Sequence, residues 1–157
     1  MPSIKEENKS IEIVIDSVEM LEFKKNFIRK DGDKYECDGQ VIRTVKDESI
    51  PVRFSNMEHT YELFSLLGNL WGNWNDCPDW KVMKHKTKNW YETYGAELVK
   101  ISHDTLVFQC NRKLTENEVE NLLEDISSFA PNSLDIAKHE IIKKRLAEDS
   151  KFVLWWD

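Results

Sequence analysis

Glycine, proline and cysteine are scarce in this 157-residue chain, with five, four and three copies respectively. The scattered glycines form no loop of the kind that cradles a phosphate, and no G-x-S-x-G, H-E-x-x-H or dinucleotide-binding fingerprint is present. Cys37, Cys77 and Cys110 are an odd number without a C-x-x-C spacing, which indicates reduced thiols and not a disulfide framework or a zinc knuckle. We therefore expect no cofactor and no metal.

Long apolar runs are also missing. No stretch approaches the roughly 18 apolar residues that span a bilayer, and the opening MPSIKEENKSIEI lacks the basic start and apolar stretch of a signal peptide. We therefore expect a cytoplasmic protein without a membrane segment. Hydrophobic residues at 40% and charged residues at 32% are typical of a globular protein, and the length fits a single domain over residues 1–157.

Positive charge is in the minority, since 22 basic residues stand against 29 acidic ones and the formal net charge is -7. A protein that binds a phosphate backbone needs clustered lysine and arginine to neutralise it, so we do not expect a nucleic acid partner. A negative surface keeps a protein soluble and also steers a basic protein partner towards it. Composition therefore favours protein recognition over nucleic acid recognition.

The N-terminal part, residues 1–55, has the pattern of a strand, a helix and a hairpin. Alternating β-branched residues predict a strand over 11–15, and a looser helical spacing follows over 18–29. Asp38-Gly39 is typical of a tight turn and predicts a hairpin of 35–37 with 41–45. Because Pro51 cannot donate to a ladder, we expect 50–54 to be an edge strand.

A helical stripe follows after residue 56 and predicts a helix that ends near Asn73. Gly68 and Gly72 lie beside this stripe, where missing side chains would allow another element to approach closely. The stripe recurs at helical spacing through six apolar residues: Leu63, Phe64, Leu67, Leu70, Trp71 and Trp74.

The remaining chain alternates helices with strands. We expect a helix over 80–94 closed by Gly95, then a strand pair over 96–102 and 105–110. Thr115 with Glu118 is a capping box that opens a helix broken by Pro131-Asn132. A last helix over 134–147 and a strand over 152–156 complete the chain. The residues expected to face inward on the two final helices are Val119, Leu122, Leu123, Ile126, Ala137, Ile141 and Leu146.

Hairpins mixed with helices predict an α+β fold, with a mixed or mainly antiparallel sheet and helices packed on it. Three segments also resemble a known family: WYETYGAELVKISHDTLVFQC, the helix end at Phe129-Ala130-Pro131, and the closing LWWD. They resemble the bacterial domain of unknown function four-two-five-three over residues 90–157. The resemblance implies a fold and no activity. Where the family has Cys-Pro-Asp, this chain has Ala130, Pro131 and Asn132, so a family cysteine and acid are absent.

The leading hypothesis is a non-enzymatic protein-binding module, such as an immunity-type or antitoxin-like inhibitor of a basic toxin domain. Trp80 begins a predicted helix, and the adjacent Trp155 and Trp156 must point to opposite faces of a strand. One of the two can face the core, while the other faces either solvent, as an exposed anchor, or another layer of the fold. The expected partner-binding residues are Trp80, Trp155, Trp156, Asp157, Glu116, Glu120 and Glu124.

Two alternatives stay open. A small hydrolase or metal-assisted enzyme would use a cleft lined by Trp71, Trp80, His85 and His103, although these residues match no ligand motif. His103-Asp104 also suits a hairpin turn, and Cys77 lies beside acids that disfavour its thiolate. A self-associating domain would instead use the predicted edge strand that contains Pro51.

Overall fold

Seven strands form one mixed sheet in the computed structural model, which describes residues 10–16, 28–31, 34–37, 49–55, 57–68, 77–102, 104–133 and 138–156. The strand order is β2-β3-β4-β1-β5-β6-β7. Neighbouring strands pair antiparallel except β1 with β5 and β3 with β4, which are parallel. The strands are β1 (Ser10–Asp16), β2 (Ile28–Asp31), β3 (Lys34–Cys37), β4 (Ser49–Ser55), β5 (Ala96–Ile101), β6 (Thr105–Cys110) and β7 (Lys151–Trp155).

Polar side chains cap the N-termini of two described helices. Asp79 caps the second α-helix by accepting hydrogen bonds from the N–H groups of Lys81 and Val82, each at 3.0 Å. Thr115 and Glu118 form the reciprocal capping box of the third. The helices are a 3-10 turn (Thr60–Glu62), α1 (Leu63–Leu67), α2 (Trp80–Tyr94), α3 (Glu116–Phe129) and α4 (His139–Asp149).

The core lies between these helices and one face of the sheet. Phe108 and Phe152 are stacked at 4.9 Å on neighbouring strands, and Trp90 of α2 meets both rings edge-on. The Trp90 indole N–H donates to Asp125 of α3 at 2.6 Å, so the buried ring is also hydrogen-bonded. On the opposite face Val107 and Val153, which are register partners, stay partly exposed. This one-sided arrangement confirms the predicted α+β fold.

Most predictions for the second half of the chain are confirmed. The helix over 80–94 has the expected bounds, and Gly95 closes it in the left-handed region at φ 68°. The strand pair on either side of 103–104 forms, and the third helix buries all four predicted residues. Strands β1 and β7 also lie where alternation placed them.

The prediction of an edge strand at Pro51 is wrong. Strand β4 lies inside the sheet, between β3 and β1, with Pro51 opposite Val14. The described pairing of β4 with β3 runs over 52–54, so proline at 51 interrupts no bond of that ladder. The predicted helix over 18–29 is wrong at its end, where Ile28 and Arg29 belong to β2 and pair with β3. The predicted hairpin of 35–37 with 41–45 is also wrong, because β3 pairs with β2 on one side and with β4 on the other. The rest of the predicted helix and residues 41–45 lie outside the described residues.

Two helix boundaries also differ from prediction. Helix α1 ends at Leu67 because Gly68 turns the chain at φ 53°, and a Cβ there would meet no atom within 4 Å, so close packing is not its role. Helix α4 begins only after the extended Lys138, and its buried face follows Ile142 and Leu146, which are four positions apart. The prediction that Ile141 faces inward is wrong, since it is 44% exposed. Leu63, Phe64 and Leu67 are buried as expected. Leu70, Trp71, Gly72, Trp74 and Ala137 lie outside the described residues.

Candidate functional site

Of the two tryptophans near the C-terminus, Trp155 is the one that is partly exposed. Its side chain is half-buried on the sheet face opposite the described helices, and its indole N–H donates to Asp104 at 3.0 Å. The Ser133 hydroxyl accepts a hydrogen bond from its backbone N–H at 2.9 Å. Thr105 donates its hydroxyl to the second oxygen of Asp104 at 2.8 Å. The ring is therefore held in one orientation before any partner arrives.

Trp156 points the other way and is fully buried, where it meets Phe129 edge-on at 6.0 Å between ring centroids. Alternation along a strand produces this division, because successive side chains face opposite sides of the sheet. Trp156 therefore stabilises the core and offers no surface to a partner, which removes it from the expected binding residues. Asp157 lies outside the described residues.

The other predicted binding residues lie apart from the tail. Trp80 is half-buried and packs against the core, with the Lys81 ammonium 5.7 Å from its ring. Glu116, Glu120 and Glu124 share one exposed flank of α3, four residues apart. Lys143 of α4 forms an ion pair with Glu120, so the middle of this acidic flank is countered by a cation. The described members thus come from three elements, with Trp80 on α2, the glutamates on α3 and Trp155 on β7.

The enzyme alternative receives no assembled cleft from the described residues. Trp80 and His85 are five positions apart on α2, which separates them by about 140° around the helix axis. Trp71 and His103 lie outside the described part of the chain. Cys77 and Cys110 are both buried. Burial raises the pKa of the Cys110 thiol to about 11, which keeps the Cys110 sulfur protonated. Among the described residues no group of three His, Cys, Asp or Glu could hold a metal ion.

A surface that the sequence patterns did not single out lies where the 3-10 turn meets α2. Three partly exposed rings contact one another there: His59 stacks on Tyr61 at 5.1 Å between centroids, and Tyr91 is tilted at 4.7 Å from His59 and 5.9 Å from Tyr61. Glutamates border the rings. We call this set the acid–aromatic surface, and its members are His59, Tyr61, Tyr91, Glu58, Glu62 and Glu92.

Negative charge dominates the electrostatics of the acid–aromatic surface. Burial raises the pKa of the Tyr61 hydroxyl, and the charges of Glu62, Glu92 and Glu58 raise it further. The Glu62 carboxylate also accepts hydrogen bonds from the N–H groups of Glu58 and His59, both at 2.8 Å, which fixes the turn that carries two of the rings. Contacts among the rings and the hydrogen bonds of Glu62 therefore restrict the rings beside three carboxylates.

Sequence reasoning missed the acid–aromatic surface because its members come from two distant segments. The pentapeptide EHTYE, residues 58–62, is a visible signal, since two acids flank a histidine and a tyrosine. Tyr91 follows 29 positions after Glu62 and joins the group only because α2 packs against the 3-10 turn. No periodicity within either segment reports that contact.

Comparison with known proteins identifies one family. The model of the family described as "Domain of unknown function (DUF4253)" matches residues 54–157, which confirms the resemblance over 90–157 and extends it to residue 54. No curated protein and no solved structure matches the chain. Within the part that the structure describes, no helix is both long and apolar enough to cross a membrane.

Proposed function

We propose, from the premise that the chain belongs to the DUF4253 family, that it is a protein-binding module that recognises a basic partner protein through its acid–aromatic surface. One observation carries this proposal: three partly exposed aromatic rings pack together inside a border of glutamates. Rings and carboxylates together suit lysine and arginine side chains, which bind to aromatic faces and to anions.

The rings supply the anchoring part of this surface. Tyrosine is enriched among the residues that dominate binding energy, since a rigid ring gives a large contact area at a low cost in conformational entropy. A cation over an exposed aromatic face contributes about 0.5–1 kcal/mol, and more when water is excluded. His59, Tyr61 and Tyr91 already restrict one another, so little side-chain freedom is lost on binding.

The charges supply selectivity and attraction over distance. Glu58 and Glu92 are exposed beside the rings, and the whole chain carries a net charge of -7. Complementary charge raises association rates and suppresses partners of the same sign. The same charge balance supports the finer proposal of an immunity-type or antitoxin-like inhibitor that covers a basic toxin domain in the cytoplasm. Trp155, oriented by Asp104, is a second aromatic contact available to such a partner.

Affinity capture from a lysate of the native organism, followed by mass spectrometry, tests the proposal. The wild-type chain should retain a stoichiometric partner with a basic isoelectric point. Tyr91→Ala should weaken binding of that partner by about tenfold or more, because it removes one ring of the cluster, whereas Tyr91→Phe should keep most of the affinity. Raising the salt concentration should also weaken the complex, because exposed charges are screened.

A matched pair of charge variants provides the control. Glu92→Gln and Glu140→Gln each remove one exposed carboxylate, but only Glu92 borders the rings. We expect Glu92→Gln to weaken the complex and Glu140→Gln to leave it unchanged. An acidic partner, or a basic partner that both Tyr91→Ala and Glu92→Gln retain at wild-type affinity, would refute this assignment. Circular dichroism of each variant establishes that the fold is intact.

A further inference from the structure

We propose that the crevice between α4 and β7 binds an extended segment of a partner protein that carries an acidic side chain, added as a strand along the free edge of β7. The inference goes beyond the function proposed above, because the crevice shares no residue with the acid–aromatic surface. Three observations support it: the direction of the backbone groups of β7, a cavity beside them, and the charges that line this cavity.

Strand β7 is the last in the sheet order, so one of its sides has no neighbouring strand among the described residues. The bonds to the rest of the sheet come from even-numbered positions: Trp156 N–H donates to Asp104 O at 3.2 Å, and Ser150 O accepts from Cys110 N–H at 2.8 Å. In an antiparallel pair, alternate residues point their N–H and C=O groups to opposite sides. Lys151 and Val153 therefore direct theirs outward.

The series of outward-pointing backbone groups ends at Trp155, where the Ser133 side chain takes the place of a neighbouring strand. The Ser133 hydroxyl accepts from the Trp155 N–H at 2.9 Å and lies 3.5 Å from its carbonyl oxygen. The free edge is thus limited to Lys151 and Val153, which provide two donors and two acceptors. Such a short edge suits a single peptide segment of about five residues, since each residue of a strand spans about 3.3 Å.

A cavity of about 270 Å³ lies along this edge and is lined by Arg145, Asp149, Lys151, Phe152 and Val153. Helix α4 forms one wall, and β7 forms the other. The lining contains two cationic side chains, Arg145 and Lys151, and one carboxylate, Asp149, so its net charge is positive and an acidic group is the complementary ligand. Arginine pairs with carboxylates through two parallel hydrogen bonds, which makes an aspartate or glutamate side chain the expected contact of Arg145.

Titration of the full-length, nitrogen-15-labelled protein with short peptides tests this proposal. The probe is the N-acetylated, C-amidated peptide Thr-Val-Glu-Val-Thr, compared with the same peptide carrying glutamine. We expect saturable shifts of the Lys151 and Val153 amide signals, with the glutamine peptide at least threefold weaker. Methylation of the central peptide nitrogen should abolish the shifts, because it removes a donor to the strand edge.

Two exposed cations of α4 form the matched control. Arg145→Gln should remove the preference for the glutamate peptide, and Lys144→Gln should keep it, because Lys144 does not line the cavity. If Arg145→Gln fails to fold, Lys151→Gln makes the same test. Three results would overturn the proposal: shifts that map elsewhere, a glutamate preference that survives both cavity substitutions, or self-association that moves the same amide signals without peptide. None of these results bears on binding at the acid–aromatic surface.

Discussion

Two corners of the molecule are built by the same device and present opposite chemistry. Helix α2 leads through Gly95 into β5, and α4 leads through Ser150 into β7; each linking residue is left-handed, at φ 68° and φ 53°. Both carbonyls accept a hydrogen bond from the end of β6, Gly95 from Asn111 at 2.9 Å and Ser150 from Cys110 at 2.8 Å. The starts of β5 and β7 are thus both hydrogen-bonded to the same end of β6, which lies between them.

The corners differ in their place in the sheet. Strand β5 lies between β1 and β6, so both of its edges are occupied, and the surface of the first corner consists of the rings and carboxylates around Tyr91. Strand β7 is at the edge, so the second corner adds backbone donors and acceptors to a basic lining. Position in the sheet, and not the connection itself, determines whether a corner presents side chains alone or also backbone groups without a neighbouring strand among the described residues.

The largest effect on this comparison is expected from Gly95→Ser, which gives the first corner the linking residue of the second. A Cβ at Gly95 would lie 2.0 Å from the Asn111 side-chain oxygen, and a non-glycine residue in the left-handed region is itself strained. We expect the free energy of unfolding to fall by about 1–2 kcal/mol, measured by urea denaturation, and mostly because of the backbone strain, since the exposed Asn111 side chain can turn away.

The double substitution Gly95→Ser with Asn111→Gly separates the two causes. It removes the contact and leaves the backbone strain, so most of the loss should remain. A Gly95→Ser variant as stable as the wild type would mean that the first corner tolerates the same residue as the second, and that the two connections are interchangeable.

The same pair of corners explains how far the sequence predicted the fold. The first corner was predicted to the residue, because Gly95 marks the end of α2 and Asp79 with Pro78 marks its start. The second corner was not predicted to the residue, because serine at 150 does not signal a helix end as glycine does. The helical pattern before it also allowed the helix to start at residue 134, whereas α4 starts at His139. Two features depend on tertiary packing, which local sequence spacing does not report. One is the place of the Pro51 strand inside the sheet, and the other is the contact of Tyr91 with the EHTYE segment.

A smaller effect of opposite sign is expected from Ser150→Gly. Glycine adopts φ 53° without the steric cost that serine carries, so the second corner should gain about 0.5–1 kcal/mol of stability, after the greater freedom of glycine in the unfolded chain is included. Thermal unfolding should show a higher midpoint. Ser150→Ala keeps the Cβ and removes only the hydroxyl, and it should not raise the midpoint. A rise with alanine as large as with glycine would assign the effect to the hydroxyl and not to the backbone.

The smallest effect concerns two side chains at or just after the end of β6 that donate a hydrogen bond to the end of a helix. Arg112 is charged, and Gln109 is neutral. Arg112 donates to the Thr93 carbonyl of α2 at 2.8 Å and pairs with Glu118, and hydrogen bonds from Arg112 and then from Thr115 lower the pKa of Glu118 to about 2. Gln109 donates to the Asp149 carbonyl of α4 at 2.8 Å and does not titrate.

Acid should therefore loosen the first corner and leave the second unchanged. Because the folded-state pKa of Glu118 lies below its ordinary value of 4.5, the stability that it contributes is complete above that value and is lost as the pH falls towards 2. The difference in unfolding free energy between wild type and Glu118→Gln should be constant from pH 7 to 5 and shrink below pH 4. The difference for Gln109→Ala should stay constant over the same range. If the Glu118 difference stays flat or the Gln109 difference shrinks, the contrast between a charged and a neutral tie is wrong.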